Sequence, residues 1–423
     1  MPISSWTLDV TGLGPIKKAE IEVRPLTLLV GENSTGKSYL ATLLWGLAQT
    51  HLFSFPFGQA TAREYQELSK RIDEQGKRFT FSHESIEHVL SLSNSLLERV
   101  KAKFISKLFN QQQVQVGSLV LRQTGTYQPG TLPTLDFTGK GALPRHQLVR
   151  FSIILNHLVG TAGSGPPIYL PASRTGFLLT YPYVVSRGID ALFADDTPAA
   201  TARTRLTRPT IEFLKLLATG ADDRSGFVAE AQALEDALGG EIVKHSRAGF
   251  NQYEYRMKGA SVALPMSIVS TVVSELAPIV LVLKHSEKLP FLVIEEPEAH
   301  LHPKVQRMLA VVIARLIRKG VRVVLTTHGD LFCHQLNNLV KLGALPVAKR
   351  RALQRKFKLK ETDYLLPDEV SGYGLMLSKD RTHSVVSALQ MTDYGLAMPT
   401  FNAEIDSLEA QTEALDTAIE AGQ

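Results

Sequence analysis

The sequence predicts an α/β fold built on a mixed or parallel sheet, with antiparallel strands near its N-terminus and an inserted, mostly helical lobe. Three observations carry that expectation. A continuous apolar run, Leu26-Thr27-Leu28-Leu29-Val30, leads into a glycine-rich loop and then a helical stretch at 39–49. Such a run reads as a strand buried on both faces. Farther on, an apolar run at 291–294, a helical pattern at 303–319 and a second run at 321–325 form a strand, helix, strand unit, the connection that parallel strands need. Finally, 423 residues exceed what one hydrophobic core usually organises, so a large domain with a lobe is expected.

In chain order, Trp6, Leu8 and Val10 alternate, Gly12 and Gly14-Pro15 supply turns, and Ile21 and Val23 alternate again. An antiparallel pair therefore precedes the buried strand. From 61 to 167 the character changes. Ile86, Val89, Leu90, Ser93, Leu96, Leu97, Val100 and Phe104 recur at helical spacing, and a Gly/Thr/Pro-rich, β-like stretch follows at 114–144. This is the expected lobe, its apolar stripe covered by its own core or by a partner. Helical patterns at 211–218 and 227–238, strand-like segments near 241–243 and 252–257, and a helix over about 267–284 lead to the strand, helix, strand unit. The expected divisions are 1–60 and 168–345 as two parts of one head, 61–167 as the lobe, and 346–423 as a basic segment with an acidic C-terminal helix.

Composition excludes several classes. With 44% hydrophobic and 21% charged residues the chain is neither disordered nor collagen-like. The single cysteine, Cys333, permits no internal disulfide and no cysteine-based zinc cage. The start has no basic region followed by an apolar one, and no window approaches 18 uninterrupted apolar residues, so a cytoplasmic protein without a membrane span is expected. Net charge is +5, unevenly placed. Lys341, Lys349, Arg350, Arg351, Arg355, Lys356, Lys358 and Lys360 meet no carboxylate up to position 360, whereas residues 402–423 hold six acids and no base. The basic run is a solvated helix or a contact for DNA or an acidic partner. In the tail, Ile405, Leu408, Thr412, Leu415 and Ile419 follow 3–4 spacing, a stripe expected to dock on the body or on a partner.

Gly31-Glu32-Asn33-Ser34-Thr35-Gly36-Lys37-Ser38 fits the phosphate-loop pattern. A chance match in a chain this long is expected on the order of once in a hundred. In such a loop the backbone amides and the following helix N-terminus, here Lys37, Ser38 and Tyr39, face phosphate oxygens. Lys37 is expected on the β- and γ-phosphates of ATP, and the Ser38 hydroxyl on Mg²⁺. Phe291-Leu292-Val293-Ile294-Glu295-Glu296 delivers two adjacent carboxylates at a strand end, and both cannot be unpartnered core residues. Glu295 is assigned to the metal and Glu296 to the attacking water. His328 ends the next strand, 32 positions after Glu296, and is the candidate γ-phosphate sensor. His300 and His302 lack a nearby third ligand, which argues against zinc.

These pieces resemble the ATP-binding-cassette (ABC) ATPases, in the SMC-like branch that includes RecF and the overcoming-lysogenization-defect family of nuclease ATPases. The wording Ile294-Glu295-Glu296-Pro297-Glu298-Ala299-His300-Leu301-His302-Pro303 and Thr326-Thr327-His328 is similar to that branch, as are the 258 positions from Lys37 to Glu295. The resemblance implies an ABC-type ATPase head that hydrolyses ATP to ADP and phosphate with Mg²⁺ at a homodimer interface or in a higher oligomer of dimers. A signature helix of one copy would cap the nucleotide of the other, and Ser270 is the candidate contact. The family's glycine is absent there, since Ser270-Thr271-Val272 puts a β-branched side chain in its place, so slow turnover, or a dimer that holds ATP rather than cycling, is expected. Ile168-Tyr169-Leu170-Pro171-Ala172-Ser173-Arg174 looks like the family's segment after the lobe, with Arg174 a phosphate or coupling residue or a structural salt bridge. No Asp-x-Asp follows His328, so no nuclease of the family's type is expected in this chain. It thus resembles the stand-alone ATPases of bacterial anti-phage defence (Septu-, PARIS- and retron-associated types), which act with a separately encoded effector, a nuclease or toxin. The alternative is a RecF-like repair or replication ATPase that binds DNA directly.

Overall fold

The computed structural model describes residues 5–49, 78–111, 113–124, 134–136, 165–186, 206–220, 226–247 and 250–421, together with positions 66, 70 and 74. The chain opens with β1 (Ser5–Leu13), β2 (Ile16–Val23), β3 (Leu26–Gly31) and α1 (Lys37–Ala48). Next come β4 (Arg78–Thr80), α2 (His83–Phe109), β5 (Ser118–Thr124), β6 (Thr134–Asp136) and β7 (Ile168–Leu170). The middle holds α3 (Arg174–Ser186), α4 (Arg208–Thr219), α5 (Val228–Leu238), β8 (Gly240–Arg247), β9 (Phe250–Met257), β10 (Leu264–Pro265) and α6 (Thr271–His285). Then come β11 (Phe291–Glu295), α7 (Pro303–Arg318), β12 (Arg322–Thr327), α8 (Asp330–Ala344) and α9 (Val347–Lys356). The chain finishes with β13 (Val370–Leu377), β14 (Ser384–Ala388), β15 (Met391–Thr392), β16 (Gly395–Leu396) and α10 (Pro399–Ala421).

Nine strands form one mixed sheet in the order β5-β1-β2-β14-β13-β3-β12-β11-β7. The block from β13 to β7 is parallel, and β5-β1-β2 is an antiparallel wing. Strand β14 joins the two, antiparallel to β13 and parallel to β2. The apolar runs are continuous because both faces are covered. In β11, Leu292 and Ile294 enter one core with α3 to α8, while Phe291 and Val293 enter another with α1 and α2. A separate antiparallel sheet, β10-β9-β8, packs on α4, α5 and α6.

Three parts of the chain lie elsewhere than the sequence suggested. Of the stretch expected as a lobe, residues 61–65, 67–69, 71–73, 75–77, 112, 125–133 and 137–164 are outside the described residues. The described part belongs to the head: β5 pairs with β1 as the sheet's edge, and the stripe of α2 is buried on α1, β1 and β5. That helix starts in a capping box of Ser82 and Ser85 and stops where Asn110 turns left-handed, at φ 53°. Second, 346–423 contains more than a basic segment and a tail, since β13 lies beside β3 at the centre of the sheet. Arg315 and the buried Asp363 lock the approach to it in a two-pronged pair, at 2.7 and 2.9 Å. Third, Leu408, Leu415 and Ile419 of the α10 seam are exposed, so of the two expected covers, the body or a partner, the described part of the body does not cover these three.

Candidate functional site

Strands β3, β12 and β11 are adjacent and parallel, Thr326 facing Leu29 on one side and Glu295 on the other. The glycine loop, the His328 turn and the two glutamates therefore leave the sheet at one edge, the carboxyl edge where parallel sheets bind ligands.

The loop needs glycine for reasons visible at two positions. Gly31 has φ 148°, and a Cβ there would stand 2.0 Å from the Leu375 carbonyl oxygen of β13. Gly36 has φ 94° and caps α1, with a Cβ position 2.9 Å from the side chain of Ile16. Ser34 is also left-handed, at φ 64°. The buried Thr35 hydroxyl donates to the Glu32 carbonyl at 2.8 Å, while Asn33, Ser34 and Ser38 are exposed. The first turn of α1 carries no acid of its own to neutralise its positive end. Lys37 Nζ donates to the carbonyls of Gly31 and Glu32, each at 2.7 Å. Burial pulls its ammonium below the usual range, and Glu296, Glu298, Glu295 and Glu32 oppose that shift. The loop lysine thus lies in the field of the β11 carboxylates. The ring of Tyr39 packs on Phe109, with 5.1 Å between centroids.

Glu295 is buried, and its Oε2 accepts the Ala172 N–H at 3.1 Å. Its Oε1 is buried and completes no hydrogen bond among the described residues. The nearby Tyr169 hydroxyl bonds Thr42 at 3.3 Å, and burial, then the charge of Glu295, holds its proton on. The orphaned, buried Glu295 oxygen and the exposed Ser38 hydroxyl are both hard-oxygen donors of the kind Mg²⁺ takes. Glu296 is half-buried and left-handed, at φ 45°, a conformation that costs a non-glycine residue about 1–3 kcal/mol. Its N–H donates to Thr326 O at 2.9 Å, and its Oε1 lies 3.7 Å from His328 Nδ1.

Two buried charges hold this strained turn. Arg174, with no exposed surface, donates from Nη1 to the Glu295 carbonyl at 2.8 Å and from Nη2 to the Glu296 carbonyl at 3.2 Å. From Nε it donates to the Glu275 carbonyl at 3.0 Å, and Nη2 pairs with Glu275 Oε2 at 3.2 Å. The structure therefore places Arg174 in a buried salt bridge with Glu275. Glu298 does the same work one loop over. Its Oε1 accepts the Thr327 hydroxyl at 2.6 Å and the His328 N–H at 3.1 Å. Glu298→Ala should lower stability by about 1–3 kcal/mol by orphaning both donors, measured by chemical denaturation, whereas a surface role would leave it unchanged.

Ser270 stands exposed before α6, and its side chain makes no capping bond. The helix it begins carries Glu275, so Ser270 and the β11 turn are linked through Arg174. Sequence reasoning missed Glu275 and the role of Glu298. Their partners lie 101 and about 30 positions away, beyond any local pattern.

The sequence model of an AAA ATPase domain family matches residues 222–332, which take in α6, β11 and β12 and leave the glycine loop outside. No curated protein matches the chain. Among solved structures, a Smc head bound to the C-terminal winged-helix domain of ScpA is 13% identical, with a TM-score of 0.41, covering 92% of this chain and 98% of that one. The SMC head domain from Thermotoga maritima is 13% identical, with a TM-score of 0.38 and coverage of 92% and 100%. A Smc head with an extended coiled coil, bound to the C-terminal domain of ScpA from Pyrococcus furiosus, is 11% identical, with a TM-score of 0.40 and coverage of 97% and 100%. At such scores the likeness carries no weight, and the site stands on its own geometry.

Proposed function

We propose that the protein is an ABC-type ATPase that binds ATP with Mg²⁺ and hydrolyses it slowly between facing copies of itself. The observation that supports it best is the shared edge of β3, β12 and β11, which gathers the loop amides, Lys37, Glu295, Glu296 and His328. The amides of 33–38 and the N-terminus of α1 receive the phosphates. Lys37 exchanges the carbonyls of Gly31 and Glu32 for phosphate oxygens. Ser38 Oγ and Glu295 Oε1 would hold Mg²⁺, which supplies charge neutralisation on the phosphate oxygens. Glu296 orients the attacking water and takes its proton as ATP and water become ADP and phosphate. His328, beside Glu296, contacts the γ-phosphate. Ser270 meets the nucleotide of the facing copy, and the link from α6 through Arg174 carries that contact to the turn of Glu296.

For its biological role we propose control of a separate effector, a nuclease or toxin, in bacterial anti-phage defence. This rests on the resemblance of the motif wording, and an effector gene beside this one would support it. The second role, a RecF-like ATPase acting on DNA, draws on the exposed bases of α9. Duplex affinity that falls with salt and disappears on neutralising Lys349, Arg350, Arg351 and Arg355 would favour it.

Lys37→Ala tests the site itself. ATP affinity by calorimetric titration should fall at least about tenfold, near 1.4 kcal/mol or more. Unchanged affinity would mean that the loop does not hold the nucleotide.

A further inference from the structure

Four residues of α1 recur at the spacing of one helix face: Ser38, Thr42, Trp45 and Gln49, at i, i+4, i+7 and i+11. The last three grip the strand beside the β11 carboxylates. Trp45 Nε1 and Gln49 Nε2 donate to the Pro167 carbonyl just ahead of β7, at 3.1 and 3.2 Å. The ring of Trp45 stands edge-on to that of Tyr169, with 6.2 Å between centroids, and the Thr42 and Tyr169 hydroxyls are 3.3 Å apart. Thr42 and Tyr169 are both buried. The exposed Ser38, whose hydroxyl is proposed for Mg²⁺, therefore stands about one helical turn from the point where Tyr169 is anchored.

The other proposed ligand approaches the same hydroxyl from the sheet. In the parallel pair of β7 and β11, Tyr169 lies beside Val293, and Glu295 is two residues farther towards the carboxyl edge. Side chains two apart on a strand share a face, and Phe291, Val293 and Tyr169 all enter the core under α1. Glu295 is thus on the α1 face, about 6.6 Å along the strand from the level of Tyr169. Burial, and then the charge of Glu295, push the tyrosine pKa well up, so the hydroxyl lies within the field of that carboxylate. The chain leaving β7 meets Glu295 a second time, through the Ala172 N–H on Oε2.

We propose that Tyr169 is a positioning residue of the metal site, anchored on Thr42 and holding the Glu295 carboxylate in the orientation that leaves Oε1 free for Mg²⁺ while Oε2 is taken by the Ala172 N–H. A phenol has one proton to give, and Thr42 supplies its own to the phenol oxygen. The Tyr169 proton then faces the carboxylate and fixes it from behind, as outer partners of metal ligands do. Through the same hydroxyl, the helix that carries Ser38 and the strand that carries Glu295 are held in step. Tyr169 acts through Glu295 and is itself no metal ligand. The proposal rests on the reading of this edge as a site for ATP and Mg²⁺.

Calorimetric titrations of ATP across a range of Mg²⁺, and again with EDTA in place of Mg²⁺, test this on the full-length chain. Tyr169→Phe removes the hydroxyl and keeps the ring against Trp45. It should raise the Mg²⁺ needed for half-maximal enhancement of ATP affinity about 10–100-fold, the usual loss when the partner of a metal ligand is removed, and leave the metal-free affinity at the parent's value. The double variant, Thr42→Val with Tyr169→Phe, removes both hydroxyls and leaves neither unpaired. It should keep the raised requirement. A return to the parent's requirement in the double variant would trace the loss to the orphaned Thr42 hydroxyl and overturn the proposal. An equal loss of metal-free affinity in Tyr169→Phe would also overturn it. A Mg²⁺-dependent parent with an unchanged Tyr169→Phe would overturn this proposal alone, whereas a parent whose ATP affinity ignores Mg²⁺ would overturn the reading of the site and this proposal with it.

Discussion

Arg174→Met should destabilise the protein by about 3–5 kcal/mol. The methionine fills much of the space but leaves the buried Glu275 carboxylate without its counter-charge. It also strips a donor from the carbonyls of Glu275, Glu295 and Glu296. Burial already pulls the Arg174 guanidinium below its ordinary range, with Glu275 the strongest of the carboxylates that hold its charge in place. A second variant separates lost packing from lost charge. Arg174→Met with Glu275→Met should recover much of the loss in denaturant titrations, since replacing both members of a buried pair by apolar groups is often neutral. A loss below about 1 kcal/mol for the single change would mean that the guanidinium is not needed to hold the turn.

Glu296→Gln should bind ATP as the parent does and hydrolyse it about 10²–10⁴ times more slowly, the range a positioned proton acceptor supplies. The amide keeps the shape of the side chain and the backbone bonds of the turn, while losing the group that takes a proton. Glu295→Gln should differ. Its Oε2 accepts the Ala172 N–H, and its other oxygen is the one that would meet Mg²⁺. The expected result there is a higher Mg²⁺ requirement, read from ATP binding across a Mg²⁺ titration. Hydrolysis by Glu296→Gln at the parent's rate would put the proton acceptor elsewhere.

The parts of this site that were legible in the sequence are those whose physics is local. A strand covered on both faces must be apolar throughout, so the runs ahead of Gly31, Glu295 and His328 announced themselves. A loop that presents amides to phosphate needs glycine at fixed offsets. Strand β13 was hidden for the opposite reason: Gly372 and Gly374 interrupt its apolar alternation, and the bases upstream of it drew attention to charge. The stripe of α2 was readable as an apolar face, yet periodicity does not say what covers a face, and β5 with α1 does so. Arg174, Glu275 and Glu298 act through partners far away in sequence. In α10 the spacing was plain, and Leu408, Leu415 and Ile419 of its seam stand exposed.

If the glycine loop, the β11 carboxylates and the His328 turn serve one nucleotide, all three should respond to it together. Amide hydrogen exchange with and without ATP and Mg²⁺, on the hydrolysis-impaired Glu296→Gln protein, tests this most directly. Protection should rise together in peptides containing 31–38, 294–298 and 326–329, and Lys37→Ala should abolish it in all three. Protection confined to the loop, or appearing only in peptides remote from the carboxyl edge of β3, β12 and β11, would contradict a shared nucleotide site.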